Sequence, residues 1–295
     1  MYCQNTEEWF LKLRREEVRN ILVEKERPNL GVFVPDGSRR LVLAYTDLQP
    51  GTQAFNHAAA TLPAGYVRRS IQVFFEYGLF ILFVPVLGNT ILKRGTDYQT
   101  QTLLEVLRLL FDSQEFQALY DQHQVQVKVY GRPENLAGTA CEPALDWIRQ
   151  TCSRTSAYRA HKLYYGIGGS TVLGVEAAHR AVTYYHRCGH MPTLDEQIAD
   201  CYGEILPPAD FFIMTSKMGG MSALPDFLVN GDTENYYLPT MMGLTEVNYR
   251  RILYDLLYRR SALRGGVADF DDTPENRSLL RHLYDASVST IVGDG

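Results

Sequence analysis

The sequence predicts an α/β fold, a single domain whose mostly parallel central sheet is flanked by helices, and three observations predict it. Short apolar runs rich in β-branched and aromatic residues recur at Leu30–Val34 and over residues 79–86, 125–130, 161–165 and 209–214; each is too short for a helix and reads as a strand. Longer stretches with helical spacing separate them, and strands alternating with helices make a parallel sheet. Finally, 295 residues with 45% hydrophobic content suffice for one sizeable core.

Composition narrows the function classes. A net charge of −5 supplies no general attraction for nucleic acid. Five cysteines without a Cys-x-x-Cys pair argue against a disulfide framework and for a reducing, cytoplasmic setting. Residues 1–28 are charged and contain no continuous apolar block, unlike a secretory leader. The longest apolar run, residues 79–87, falls well short of the roughly 20 residues that span a bilayer, so no stable membrane insertion is expected.

The elements follow in order. Trp9, Phe10, Leu13, Val18, Ile21 and Leu22 recur at helical spacing, giving an amphipathic N-terminal helix over residues 6–25 whose mixed Glu and Arg face suits packing on the domain rather than a lipid surface. Between residues 41 and 63 periodicity dissolves, predicting a flexible segment. Pro63 then starts a helix carrying Val67, Ile71, Phe74 and Phe75, closed by Gly78. Residues 98–121 read as one helix, with further helices around 144–151 and over 245–260. The catalytic domain is expected over residues 29–266, between the N-terminal helix of 1–28 and an acidic tail of 267–295.

The most informative stretch is Pro35-Asp36-Gly37-Ser38-Arg39-Arg40, where the first strand ends. In open α/β sheets the carboxyl edge is where ligands sit. Gly37 permits a tight turn, Ser38 offers a hydroxyl, and Arg39 and Arg40 supply fork-shaped donors matched to phosphate oxygens. Asp36 would repel a polyanion alone but can help to hold one through Mg²⁺. The same residues also read as a surface Asp-Gly turn with solvated arginines. A second loop at this edge carries Asn89, able to donate and accept near a leaving group, and Arg94. Phe83, Tyr164 and Tyr165, at strand ends, are candidates for an apolar pocket with aromatic faces toward a carbocation.

Other motifs read more plainly. Gly166-Ile167-Gly168-Gly169 lacks both dinucleotide spacing and a Walker lysine. The His186-Arg187-Cys188-Gly189-His190 cluster reads as a helix end before Pro192 more than as a zinc site. Asp269-Phe270-Asp271-Asp272 and Asp271-Asp272-Thr273-Pro274-Glu275 have the spacing of terpene cyclase and synthase motifs. Those motifs work in all-helical folds, so a solvated acidic loop is the better reading here.

The strand followed by Asp36-Gly37-Ser38-Arg39-Arg40 resembles the Asp-Gly-Asn-x-Arg signature of cis-prenyltransferases, the undecaprenyl diphosphate synthase family. It is closer to the divergent bacterial diterpene-forming branch of tuberculosinol and kolavelool synthases, which has Asp-Gly-Thr-Arg-Arg. The resemblance extends over residues 30–266. It implies a cis-prenyltransferase-like fold, a prenyl diphosphate substrate, Mg²⁺ held by Asp36 with Glu234, and a homodimer to which Arg264-Gly265-Gly266 contributes. It places Ala60 at a histidine position, with His57 nearby, and Asn89 at the asparagine of the second loop. Two arginines that hold isopentenyl diphosphate in chain-elongating members become Met214 and Gly220, which implies that elongation is lost. By resemblance, the expected activity is ionisation of a preformed bicyclic C20 allylic diphosphate, of kolavenyl or halimadienyl type, with water quenching the cation to a diterpene alcohol. The alternatives are transfer of the cation to a nucleoside or second allylic diphosphate, and a non-catalytic subunit of a heteromeric cis-prenyltransferase.

Overall fold

The computed structural model describes residues 6–169, 173–215 and 223–259, the side chains of 173–176 excepted, with residues 273, 274, 277, 278 and 281 beyond them. The chain divides into two compact units, Pro28–Thr245 and a second made of Met1–Arg27 with Glu246–Gly295. The helix expected at residue 245 therefore groups with the N-terminal segment and not with the sheet.

In this second unit the single N-terminal helix expected is two, α1 (Glu7–Lys12) and α2 (Arg15–Glu24), because Leu13 and Arg14 take extended backbone and Glu17 closes a capping box on Arg14. Phe10 is buried against Tyr254 and Tyr258 of the C-terminal segment, and Arg250 donates to the Leu11 and Leu13 carbonyls that the break leaves open.

The larger unit holds β1 (Leu30–Val34), α3 (Ser38–Tyr45), α4 (Gln53–Glu76), β2 (Ile81–Gly88), α5 (Asn89–Leu92), the turn α6 (Thr96–Tyr98), and α7 (Leu104–Asp112). There follow α8 (Gln114–Gln122), β3 (Val125–Gly131), α9 (Ala144–Arg154), β4 (His161–Gly169), α10 (Leu173–Cys188), α11 (Leu194–Tyr202), β5 (Phe211–Met214) and β6 (Glu234–Tyr237). The six strands lie in the order β3-β4-β2-β1-β5-β6, every pair parallel. The predicted α/β class and its parallel sheet are thus present. β1 has β2 on one side and β5 on the other, so the order switches at β1, where such sheets bind ligands.

Two further expectations fail for physical reasons. Residues 41–63 are not flexible throughout: α3 ends at Tyr45, and α4 begins ten residues before Pro63, with Thr52 capping it by accepting from the Phe55 N–H. Ala is the best helix former, and the Ala58-Ala59-Ala60 run carries the helix through a region that shows no apolar period. Residues 98–121 are not one helix either. Ser113 takes extended backbone and caps α8, and a π-helical stretch, Gln99–Leu103, precedes α7.

The sheet buries a different aromatic set on each face. On one, Phe83 stacks on Tyr164 at 4.4 Å, with Tyr130 and Tyr202 around them. On the other, Tyr165 is edge-on to Phe111 and shares a hydroxyl hydrogen bond of 2.9 Å with Tyr120. The close approach permitted by the glycine run is to the protein itself: Gly168 has φ +70°, and a Cβ there would lie 2.2 Å from the Arg132 carbonyl oxygen. At the cysteine and histidine cluster, α10 ends at Cys188, Gly189 has φ +80°, and His190 pairs with Glu196 at 3.1 Å. The acidic motifs of 269–275 lie mostly outside the described residues.

A half-buried carboxylate ties α11 to the sheet. Glu204 accepts from Lys128 at 2.6 Å, from Tyr164 at 2.5 Å and from Lys162. Burial alone would raise its pKa, but these three donors overcome that and draw it down to about 2. A depressed carboxylate stabilises the fold fully above its unfolded pKa. That contribution is expected to disappear as pH falls from about 4.5 towards 2. Urea melts of Glu204→Gln should show a loss of about 2 kcal/mol at pH 7 and a shallower decline in acid; equal acid slopes in both proteins would contradict this.

Candidate active site

The site is built where β1 stops. Its five residues are buried, and Pro35 then leads to Asp36 at the carboxyl edge. The Asp36 N–H donates to the Thr215 hydroxyl at 2.7 Å, and that hydroxyl in turn reaches the Val34 and Asp36 carbonyls at 3.2 and 3.0 Å. Thr215, 1% exposed, thereby joins β1 and β5 beyond their last strand residues. Gly37, with φ +94°, makes the left-handed step from strand to helix. The first rung of α3 runs from the Leu41 N–H to the Gly37 carbonyl. The N–H groups of Ser38, Arg39 and Arg40 therefore lie ahead of that rung, pointing out of the helix start where anions bind.

Two cavities meet over this turn. The outer basin, about 680 Å³, is lined by Asp36, Gly37, Ser38, Arg39, Arg40 and Arg94 among others. Three guanidiniums against one carboxylate leave it net positive. Arg40 lies 3.8 Å from Asp36 with both side chains mostly exposed, so this weak pairing leaves both groups available to a ligand.

The inner chamber, about 150 Å³, runs between the sheet and helices α4 and α7. Its wall on α4 is Ala59, Ala60, Pro63, Ala64 and Val67, and α7 adds Val106 and Leu110. Asp36, Ser38, Ile91 and Tyr98 line both cavities and form the throat between them.

Most residues of the turn and Arg94 thus come together as the sequence implies; other candidates do not. Phe83, Tyr164 and Tyr165 line neither cavity: all three are fully buried, and burial pushes both phenols above their ordinary range. They are core residues because the pleat turns their rings into the two aromatic clusters. Asn89 begins α5, its amide oxygen accepting from Asn135 at 2.9 Å, and it too lies outside both linings. Glu234 is in register with Phe211, and Phe211 with Gly31. It sits at the amino end of its strand, about 16 Å along the sheet direction from Asp36, and within one chain the two do not share an ion. His57 is exposed and lines neither cavity. Met214, at one arginine position of the elongating enzymes, is fully buried and brings no charge; Gly220 lies outside the described residues.

Sequence reasoning missed Tyr98, Thr215's role and the alanine wall. The alanine run was the available signal, since a helix facing a void shows no apolar period. No cluster of three metal-ligating side chains occurs among the described residues. Asp36 with the arginines fits a magnesium ion held jointly with a diphosphate, because Mg²⁺ is commonly bound by one or two carboxylates plus substrate oxygens.

No family model matches the chain. In fold it is similar to lavandulyl diphosphate synthase from Lavandula x intermedia, solved with dimethylallyl diphosphate, at TM-score 0.60 and 17% identity over 78% of this chain and 96% of that one. It is likewise similar to a probable undecaprenyl diphosphate synthase from Campylobacter jejuni, at TM-score 0.56 and 12% identity over 79% and 97%. The chain, with its parallel sheet switching at a strand that ends in an Asp-Gly-Ser-Arg-Arg turn, thus has a cis-prenyltransferase-like fold. Tuberculosinyl adenosine transferase of Mycobacterium tuberculosis (strain CDC 1551 / Oshkosh) is 30% identical over 301 residues, 98% of this chain and 95% of that protein. The chain belongs to that family.

Thr215→Val keeps the shape and removes the hydroxyl, leaving the Asp36 N–H without its partner. Denaturant melts are expected to show a loss of about 1–3 kcal/mol. Titration calorimetry should show weaker binding of inorganic pyrophosphate, and unchanged stability would contradict the role assigned to Thr215.

Proposed function

We propose that the protein ionises a preformed allylic diphosphate whose tail lies in the inner chamber and whose diphosphate lies in the basin. The throat carries this reading: Asp36, Ser38, Ile91 and Tyr98 each face a cationic basin on one side and an apolar chamber on the other. A molecule with a polyanionic head and a hydrocarbon tail matches both.

The chemistry follows from charge. The bond between the allylic carbon and oxygen breaks with both electrons leaving on pyrophosphate. Arg39, Arg40, Arg94 and the start of α3 stabilise the charge that develops there. Magnesium, held by Asp36 and the diphosphate, would neutralise further leaving-group charge. Alanine and leucine side chains keep bulk water from the tail, so the cation is intercepted at the throat. With water as acceptor, its oxygen bonds to an allylic carbon and releases a proton, giving a diterpene alcohol from a bicyclic C20 substrate.

A second reading, transfer of the cation to a nucleoside, is favoured by the relative's name, tuberculosinyl adenosine transferase. The basin is wider than a diphosphate alone requires, which suits either acceptor. Chain elongation is disfavoured by Met214.

Purified protein with Mg²⁺ and bicyclic or linear C10 to C20 diphosphates, with and without adenosine or isopentenyl diphosphate, separates these outcomes. Pyrophosphate release with an alcohol product is expected. Release that requires adenosine selects the second reading, and isopentenyl-dependent lengthening overturns both. Arg40→Ala and Asp36→Ala should each lower kcat/KM about 100-fold or more; unchanged release would remove both residues from the catalytic machinery. Ala60→Phe projects a ring into the chamber and should raise KM for C20 substrates much more than for C10, whereas an equal effect on both would place the tail elsewhere.

A further inference from the structure

Tyr98 is the one aromatic side chain among the described residues lining the inner chamber, and it also lines the basin. It is only half-buried, unlike the core tyrosines, and the Arg94 guanidinium lies over its ring at 4.9 Å. The ring is therefore already a platform for positive charge.

The backbone around it is built to hold it there. Tyr98 immediately precedes the π-helical stretch Gln99–Leu103, a wide turn of a kind frequent at functional sites. The Gln99 amide donates to the Leu92 carbonyl at 2.7 Å and the Arg94 carbonyl at 3.1 Å, while its oxygen accepts from the Ala140 N–H at 3.3 Å. One side chain thus pins the loop that carries Arg94 to the turn that carries Tyr98. Thr102, Leu103, Val106 and Leu110 continue from Tyr98 along the chamber wall.

We propose that Tyr98 is a catalytic residue: its ring face stabilises the allylic cation at the throat between diphosphate basin and apolar chamber. This rests on the reading given under Proposed function. As the carbon to oxygen bond breaks, the electron pair leaves with pyrophosphate and positive charge spreads over the allylic carbons. The ring quadrupole attracts that charge without forming a bond. Arg94 has a stronger partner once a diphosphate arrives, since a charge-assisted bidentate bond exceeds a contact with a neutral ring. Its transfer to the diphosphate bares the ring face as the substrate's reactive carbon comes beside it.

The test measures pyrophosphate release from a C20 allylic diphosphate with Mg²⁺. Tyr98→Leu is expected to lower kcat about 30-fold with KM little changed, and Tyr98→Phe to lower it no more than about threefold. Placing phenylalanines of increasing ring fluorination at position 98 keeps the shape while draining the ring face, and log kcat should fall stepwise with each fluorine, which a packing role would not produce. A Tyr98→Leu protein turning over at the wild-type rate, or a flat fluorination series, overturns the proposal while the wild type still releases pyrophosphate. A wild type that binds the substrate and releases none instead overturns the functional reading and this inference with it.

Discussion

One buried hydroxyl holds the site together. Thr215 accepts the Asp36 N–H and reaches back to the Val34 and Asp36 carbonyls, so two parallel strands stay joined past the end of their ladder. Without it the turn would expose unpaired backbone groups at the carboxyl edge of the sheet. With it, Asp36 and the first N–H groups of α3 keep a fixed direction, and Gly37 supplies the left-handed step that no side-chain-bearing residue takes cheaply. A rigid cluster of charge at a strand end is what electrostatic catalysis of leaving-group departure requires, because donors that need not reorganise stabilise developing charge most.

The chamber depends on the opposite device, which is the absence of bulk. On α4 the residues lining the chamber are Ala59, Ala60, Pro63, Ala64 and Val67, and the space beside them is about 150 Å³. A well-packed core would fill it with leucine or phenylalanine. The alanines cost the helix nothing, because alanine is the strongest helix former, although Pro63 within it forgoes one i→i−4 hydrogen bond. The protein can therefore keep a void beside its sheet while retaining a long, capped helix as the wall.

Much of the fold, and which residues of the Asp36 to Arg40 turn lie together, was legible in the sequence. β1 lies where its apolar run lies, and a parallel sheet follows from buried strands alternating with helices. The Asp36 to Arg40 turn and Arg94 line one basin as expected. Phe83, Tyr164 and Tyr165 were misread because position near a strand end does not say which way a ring points. All three face packed cores, and the ring at the throat is Tyr98, which stands on a helical turn. Glu234 was misread because β6 runs parallel to β5, which leaves its first residue at the edge away from Asp36. The alanine wall was invisible to periodicity, since a helix face turned towards empty space carries no apolar signal.

The order of residues from Leu30 to Arg40 by itself determined a strand, a left-handed turn and a helix start bearing two guanidiniums, because these are properties of neighbouring backbone and side chains. Only the tertiary structure decided that the turn opens onto an apolar chamber, that Thr215 anchors it from 179 residues away, and that Tyr98 stands at the junction. Voids, strand order and the direction of a ring arise where distant segments meet, and no local pattern encodes them.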